Sequence, residues 1–320
     1  MQTQDWLYAR QQEVHTLRQN GNFVGWLFLA MIGVQAVVQA AVALGAFSGL
    51  VSSLGTHEGI MVLNMVLYIV ELAVPTVAVA LLTGRRRSPF PTKRVNGAFW
   101  FVGFWGGMAL AIVANLVTGW IMQWLSSFGV PQPELPQTVL PTYSSLLVNL
   151  IATAVLPAIV EEMIFRGYML GALRAHGDGL AIVITAVLFG VFHGNILQMP
   201  FAIILGLVMG YLTVLTDCIW PAVLLHFSNN AMSVLLNFFG ERYPDYAGDI
   251  NGITFLIVAA IGAVVLTVLL QQQDMLTPVG NGYSPLRVRE RVSSLLTAPA
   301  LLVAQVLMVI TLLRSIGGAA

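Results

Sequence analysis

Long apolar runs alternate with short polar connections along the chain. A helix crossing the hydrocarbon core of a bilayer needs about 20 mostly apolar residues. Runs near that length fall at about 23–45, 59–83, 98–126, 143–173, 179–197, 199–216, 219–240, 252–270 and 297–313. The pattern predicts an all-α, polytopic transmembrane helical bundle of about eight or nine spans. The last run is short and follows a polar stretch, so it reads as a ninth span or as a helix lying in the interface. No Ser-rich linker and no internal repeat divides the runs, so residues 1–320 are expected to form a single membrane domain. The polar N-terminal stretch lacks a short apolar core with a small-residue cleavage site, so the first span is expected to act as its own insertion signal.

Composition makes the membrane reading firm. Apolar residues are 58% and charged residues 9% of the chain, against about 25% charged in an ordinary soluble domain. Mean hydropathy is +0.83. The 14 basic and 14 acidic residues cancel, which argues against the concentrated basic face of a nucleic-acid binder. Cys218 is the single cysteine, so no intrachain disulfide framework exists.

The placement of the basic residues predicts orientation. Arg10 and Arg18 precede the first run; Arg85, Arg86, Arg87, Lys93 and Arg94 follow the second; Arg174 follows the fourth; Arg287, Arg289 and Arg291 follow the eighth. The intervening connections hold Arg242 alone. By the positive-inside rule the N-terminus is expected in the cytoplasm, of a protein integral to a bacterial plasma membrane, with lipids as constant partners. The cluster at 85–94 reads mainly as a topology determinant and secondarily as an anionic-lipid contact. Trp100, Trp105, Trp120 and Trp124 read as interface anchors, and Gly206 and Gly210 as close helix-packing positions. His57 and His176 fall in connections and receive no role.

Ionisable side chains inside spans are expensive and are functional hypotheses by default. The fourth run contains Glu161 and Glu162, followed by Arg166. Glu162 and Arg166 are four apart on one helix face, acid first, the favourable order for an ion pair. Glu161 points about 100° away around the helix and has no basic residue at pairing distance along it. His193 closes the fifth run, and His226 and Asn230 share a face of the seventh. Each feature alone suits helix packing as well as chemistry. Depth argues for chemistry. At ~1.5 Å per residue from the cytoplasmic helix ends, Glu161 and His193 lie about 21 Å in, Asn230 near 20 Å and His226 near 14 Å. Three helices thus place their strongly polar groups at comparable depth.

Glu161-Glu162-x-x-x-Arg166, Phe189-x-x-x-His193 and His226-x-x-x-Asn230 resemble, in order, spacing and helix placement, the three motifs of the CPBP (Abi) family. That family comprises CAAX-type prenyl-protein endopeptidases and bacteriocin-processing membrane proteins. The resemblance covers about 143–240, the expected catalytic core; 1–142 and 241–320 match only as flanking helices and loops. It implies an intramembrane endopeptidase acting on a membrane-associated, prenylated or leader peptide. Carried over, Glu161 and His193 activate water, His226 and Asn230 stabilise the oxyanion, and Glu162, Arg166 and Phe189 support them. No cofactor is expected to be required. The alternative is Zn²⁺ held by Glu161, His193 and His226 with water in the fourth position. No His-Glu-x-x-His, Gly-x-Gly-Asp or glycine-rich phosphate loop is present. A non-proteolytic reading, as a proton-coupled transporter or a partner-binding scaffold, uses the same buried residues.

Overall fold

The computed structural model describes residues 2–85, 90–130, 140–271, 280 and 284–317. The described residues form helices and no named strand: α1 (Gln2–Ala43), α2 (Ser48–Leu54), α3 (His57–Leu82), α4 (Gly97–Ser126), α5 (Tyr143–His176), α6 (Asp178–Phe192), α7 (Met199–Thr216), α8 (Trp220–Arg242), α9 (Ala247–Gln271), α10 (Val288–Leu296) and α11 (Pro299–Gly317). Seven of these are long and apolar enough to cross a membrane. The chain is a polytopic helical membrane bundle.

Helix α1 carries the first apolar run and continues it back to Gln2, where Arg10 pairs with Glu290 and Glu13 with His176. Two expectations are corrected. The run expected at 179–197 is a helix of only 15 residues, Asp178–Phe192. It stops where Gly194 turns left-handed at φ 61° and the Asn195 side chain accepts the Leu197 N–H at 2.9 Å. At about 22 Å it falls short of the ~30 Å hydrocarbon core, so the α6–α7 hairpin turns back inside the bundle. The last run is α11, bent by 77° from α10, and counts as an eighth span only if the bent pair is taken as one.

Local chemistry sets the other boundaries. The Thr56, Asn96 and Thr142 side chains accept backbone N–H groups at the starts of α3, α4 and α5, replacing intrahelical partners those donors lack. Helix α5 is continuous but irregular: Leu150–Val155 and Met163–Met169 are π-helical, and the α-helical stretch Leu156–Glu162 lies between them. Such wide turns often mark functional positions. Around α5 pack α3, α8 and the α6–α7 hairpin, while α4 packs on α7, α8 and α9. Gly206 and Gly210 of α7 sit against Ala186 and Ile182 of α6, where a Cβ would lie 3.1–3.2 Å from them, as their spacing predicts.

The basic connections meet at one end of the bundle. His176, expected to lie idle in a loop, is 4% exposed. Its Nε2 accepts from Asn20 at 2.9 Å and its Nδ1 donates to Glu13 at 3.1 Å, while Arg291 donates to its carbonyl. Arg85 donates to Asn20. Beside them Asp217, a non-glycine residue at φ 47°, takes Lys93 at 2.7 Å and Arg174 at 2.8 Å. These cations hold its carboxyl below the usual carboxylate range, so the latch persists at neutral pH and is lost only as acid approaches that lowered value. Buried Cys218 pairs by a backbone bridge with Thr92. Arg86 and Arg87 lie outside the described residues.

Helices α1 and α11 meet through Gly21 and Gly25, which abut Ala298 and the Leu301 backbone. A Cβ at Gly25 would overlap that backbone, which cannot move as a flexible side chain can. Gly25→Val is therefore expected to destabilise the bundle by at least about 1–3 kcal/mol, read as an earlier melt of the detergent-solubilised chain than for Gly33→Val, whose Cβ meets nothing.

Candidate active site

Helix α5 carries the charges. Glu162 and Arg166 are both 0% exposed and form the expected ion pair, Arg166 Nη1 donating to Glu162 Oε1 at 2.9 Å. Arg166 Nη2 donates to the Gly206 carbonyl at 3.1 Å, and its guanidinium lies 4.7 Å over the Phe189 ring. A hydrogen bond and an aromatic face thus supplement the ion pair in a site where an unpaired cation would be prohibitive.

The same Glu162 oxygen accepts from His226 Nδ1 at 2.9 Å, a contact between helices that sequence spacing does not encode. It fixes the imidazole: Nδ1 carries a proton and Nε2 points toward Glu161, 4.0 Å from its Oε2. Glu161 is 8% exposed and was expected to lack a local basic partner. It has none along α5, but Tyr68 of α3 donates to its Oε1 at 2.6 Å. Tyr68 is the residue that sequence reasoning missed. Its signal was slight, one of two hydroxyls, with Thr76, amid the apolar run of α3. Among the described residues Glu161 Oε2 has no hydrogen-bond partner.

His193 caps the short helix α6. Its Nδ1 lies 2.7 Å from the Phe189 carbonyl; a carbonyl only accepts, so Nδ1 donates and Nε2 of the neutral ring is a bare acceptor. Phe189 packs edge-on against His193 at 4.8 Å and His226 at 5.9 Å. It touches Arg166, His193 and His226 at once, which gives physical content to its expected supporting role.

Asn230, half-buried, donates through Nδ2 to the Thr153 carbonyl at 2.9 Å and accepts at Oδ1 from Asn229 at 3.1 Å. In an α-helix that carbonyl would pair with the N–H of residue 157. Residue 157 is proline, which has no N–H. The two bonds hold the amide and leave one of its N–H groups unused.

Glu161, His193, His226 and Asn230 all line one cavity of about 520 Å³, with Tyr68 and Asn149 on its wall. The depth coincidence expected from helix arithmetic is thus a shared cavity. Glu162 and Arg166 lie behind its wall and do not line it. The donor types of Glu161, His193 and His226 suit zinc, but among the described residues no three His, Cys, Asp or Glu side chains are grouped to hold a metal ion. The arrangement does not fit a three-ligand zinc site as it stands.

Residues 143–232, which contain every one of these motif residues, match the family model described as type II CAAX prenyl endopeptidase Rce1-like. Over 131 residues the chain is 24% identical to the Bacillus subtilis (strain 168) protein named "Putative membrane peptidase YdiL", a match covering 41% of this chain and 53% of that one. The chain therefore spans about half the length of that curated relative. No solved structure matches it. The family resemblance carried by the three motifs is thereby supported over the segment that builds the cavity.

Two substitutions separate support from chemistry. Glu162→Gln leaves Arg166 and His226 facing a neutral amide and is expected to cost about 3–5 kcal/mol of stability. Tyr68→Phe removes a single hydrogen bond and is expected to cost about 1–3 kcal/mol. Melting of the two purified variants in one detergent tests the order; equal losses would show that the Glu162 hub is not the anchor.

Proposed function

We propose that the chain is an intramembrane endopeptidase, its basic end cytoplasmic, that hydrolyses a peptide bond of a membrane-associated or lipid-modified substrate. The observation that carries this reading is a pair of atoms facing each other at the cavity: Glu161 Oε2, buried and without a hydrogen-bond partner among the described residues, and His226 Nε2 at 4.0 Å. That separation is too long for a direct hydrogen bond and matches the span of one water bonded to both. The match of residues 143–232 to a peptidase family supports the same conclusion.

The proposed sequence is as follows. A water held at Glu161 Oε2 gives up a proton as its oxygen attacks the scissile carbonyl. Tyr68 anchors the other carboxylate oxygen, so the attacking lone pair is aimed without rotamer freedom. The bare Nε2 of His193 faces the same space and orients or accepts from the water. The oxyanion is met by the unused N–H of Asn230, held in advance by Thr153 and Asn229. The protonated Glu161 delivers that proton to the leaving amine, while His226, whose Nδ1–H is spent on Glu162, orients the water through its acceptor Nε2 instead of serving as the second oxyanion donor that the resemblance implied. The peptide C–N bond breaks, and the products are a carboxylic acid and an amine.

Glu161→Gln is expected to lower peptide turnover by roughly two to four decades without a matching loss of folded protein. Asn230→Ala should lower kcat by about 10²–10³ at nearly constant KM. Comparing the protein termini of membranes that carry the wild-type chain or Glu161→Gln identifies the substrates; turnover that survives Glu161→Gln would sink the assignment.

The same reading needs no metal. Activity is expected to persist after long dialysis against a strong chelator, with well under one zinc per chain by elemental analysis. Loss on chelation and recovery with added zinc would overturn it.

A further inference from the structure

Next to the catalytic cavity lies a second cavity of about 690 Å³, bounded by α4, the α6–α7 turn, α8 and the start of α9. It exists because α6 stops short. The two cavities share Gln198, Phe201, Asn230, Ser233 and Asn237, so they are continuous. The second has an unusual lining for a membrane bundle. Six asparagines and one glutamine are among its fourteen residues, and none is Asp, Glu, Lys, Arg or His.

Amides in membranes commonly bond across helices. Here Asn115, Gln198, Asn237 and Asn251 are exposed, and among the described residues their side chains have no hydrogen-bond partner of their own. They are not interhelical glue. Each presents an N–H donor and a carbonyl acceptor at one end, the same pair that a peptide unit presents. Such groups facing hydrocarbon would be costly, so the chamber holds something polar.

A peptide inside a bilayer satisfies its backbone by remaining helical. Its scissile bond is reached only if a local stretch unwinds, and each freed N–H or C=O then costs several kcal/mol unless it is paired again. Four unpartnered amides around a chamber joined to the catalytic cavity supply those partners. Resting on the hydrolase reading, we propose that this chamber binds the unwound segment of substrate beside the scissile bond, in extended form, and that its uncharged wall selects neutral polar residues there over Lys, Arg, Asp or Glu.

Charge swapping tests the assignment. The full-length Glu161→Gln chain in lipid nanodiscs, which preserves bound peptide, is titrated with labelled lipid-anchored peptides scanned position by position with Asn, Lys or Asp. Neutral peptides are expected to bind about tenfold more tightly than charged ones at a short block of adjacent positions. Adding Asn115→Asp or Asn251→Asp should shift the Lys-to-Asn preference by about tenfold at those positions only. An unchanged preference in variants that melt like the parent would overturn the proposal and leave the chamber as a passage for water. If an Asp variant does not fold, a photocrosslinking residue at 251 takes its place, and failure to capture the peptides overturns the proposal equally. The two readings fail differently. Charge-swapped binding without cleavage by the wild-type chain would sink the hydrolase and keep the subsite, whereas Glu161-dependent cleavage without charge-swapped preference would do the reverse.

Discussion

A guanidinium with no solvent exposure governs the centre of this molecule. Arg166 is held by one carboxylate, one backbone carbonyl and one aromatic face, and each partner constrains a different helix. The carboxylate is Glu162 of its own helix. The carbonyl belongs to Gly206, where the missing side chain lets α7 approach the guanidinium and Ala186 of α6 together. The aromatic face is Phe189 of α6. A buried charge tolerates little slack in its partners, so three elements are located by one side chain. Phe189 then transmits that position to both histidines.

The consequence for chemistry is a division of labour between adjacent carboxylates. Glu162 is spent on Arg166 and His226 and sits behind the cavity wall. Glu161, one residue earlier, turns about 100° away around α5 and takes its hydrogen bond among the described residues from the Tyr68 phenol. The π-helical stretches on either side of Leu156–Glu162 widen the helix where its carbonyls and side chains must serve neighbours. Pro157 works in the same direction, because it has no N–H to offer the Thr153 carbonyl, which accepts from Asn230. Irregular backbone is tolerated at membrane depth where it is buried in protein or lines a polar cavity, and α5 does both.

Much of this was legible from the chain. Hydrophobic runs located the long helices because lipid permits few alternatives, and the i,i+4 spacing identified the Glu162–Arg166 pair. Glycine spacing anticipated the α6–α7 contact. What escaped was tertiary or local. Hydropathy ran straight through Gly194 and Asn195 because Ile196 and Leu197 follow, so the end of α6 was read four to five residues late. The partners of His226 and Glu161 come from other helices, and no spacing rule reaches them. The partners of the N-terminal polar stretch, His176 and Glu290, lie more than a hundred residues away, so its docking has no local signal.

The early end of α6 ties the fold to the site. A helix that crossed fully would carry His193 through the bundle interior on a regular backbone, with its Nδ1 free to take either tautomer. Stopping at Phe192 places His193 at the cap, where the Phe189 carbonyl has no further helical N–H to accept and takes the imidazole proton instead. The same stop leaves the space above the turn unfilled by helix, and polar residues from α4, α8 and α9 surround it. One left-handed glycine therefore sets the acceptor face of a histidine and opens the chamber beside it. A polar cavity at that depth requires a bundle that is not packed solid, and the short hairpin is how this sequence leaves the room.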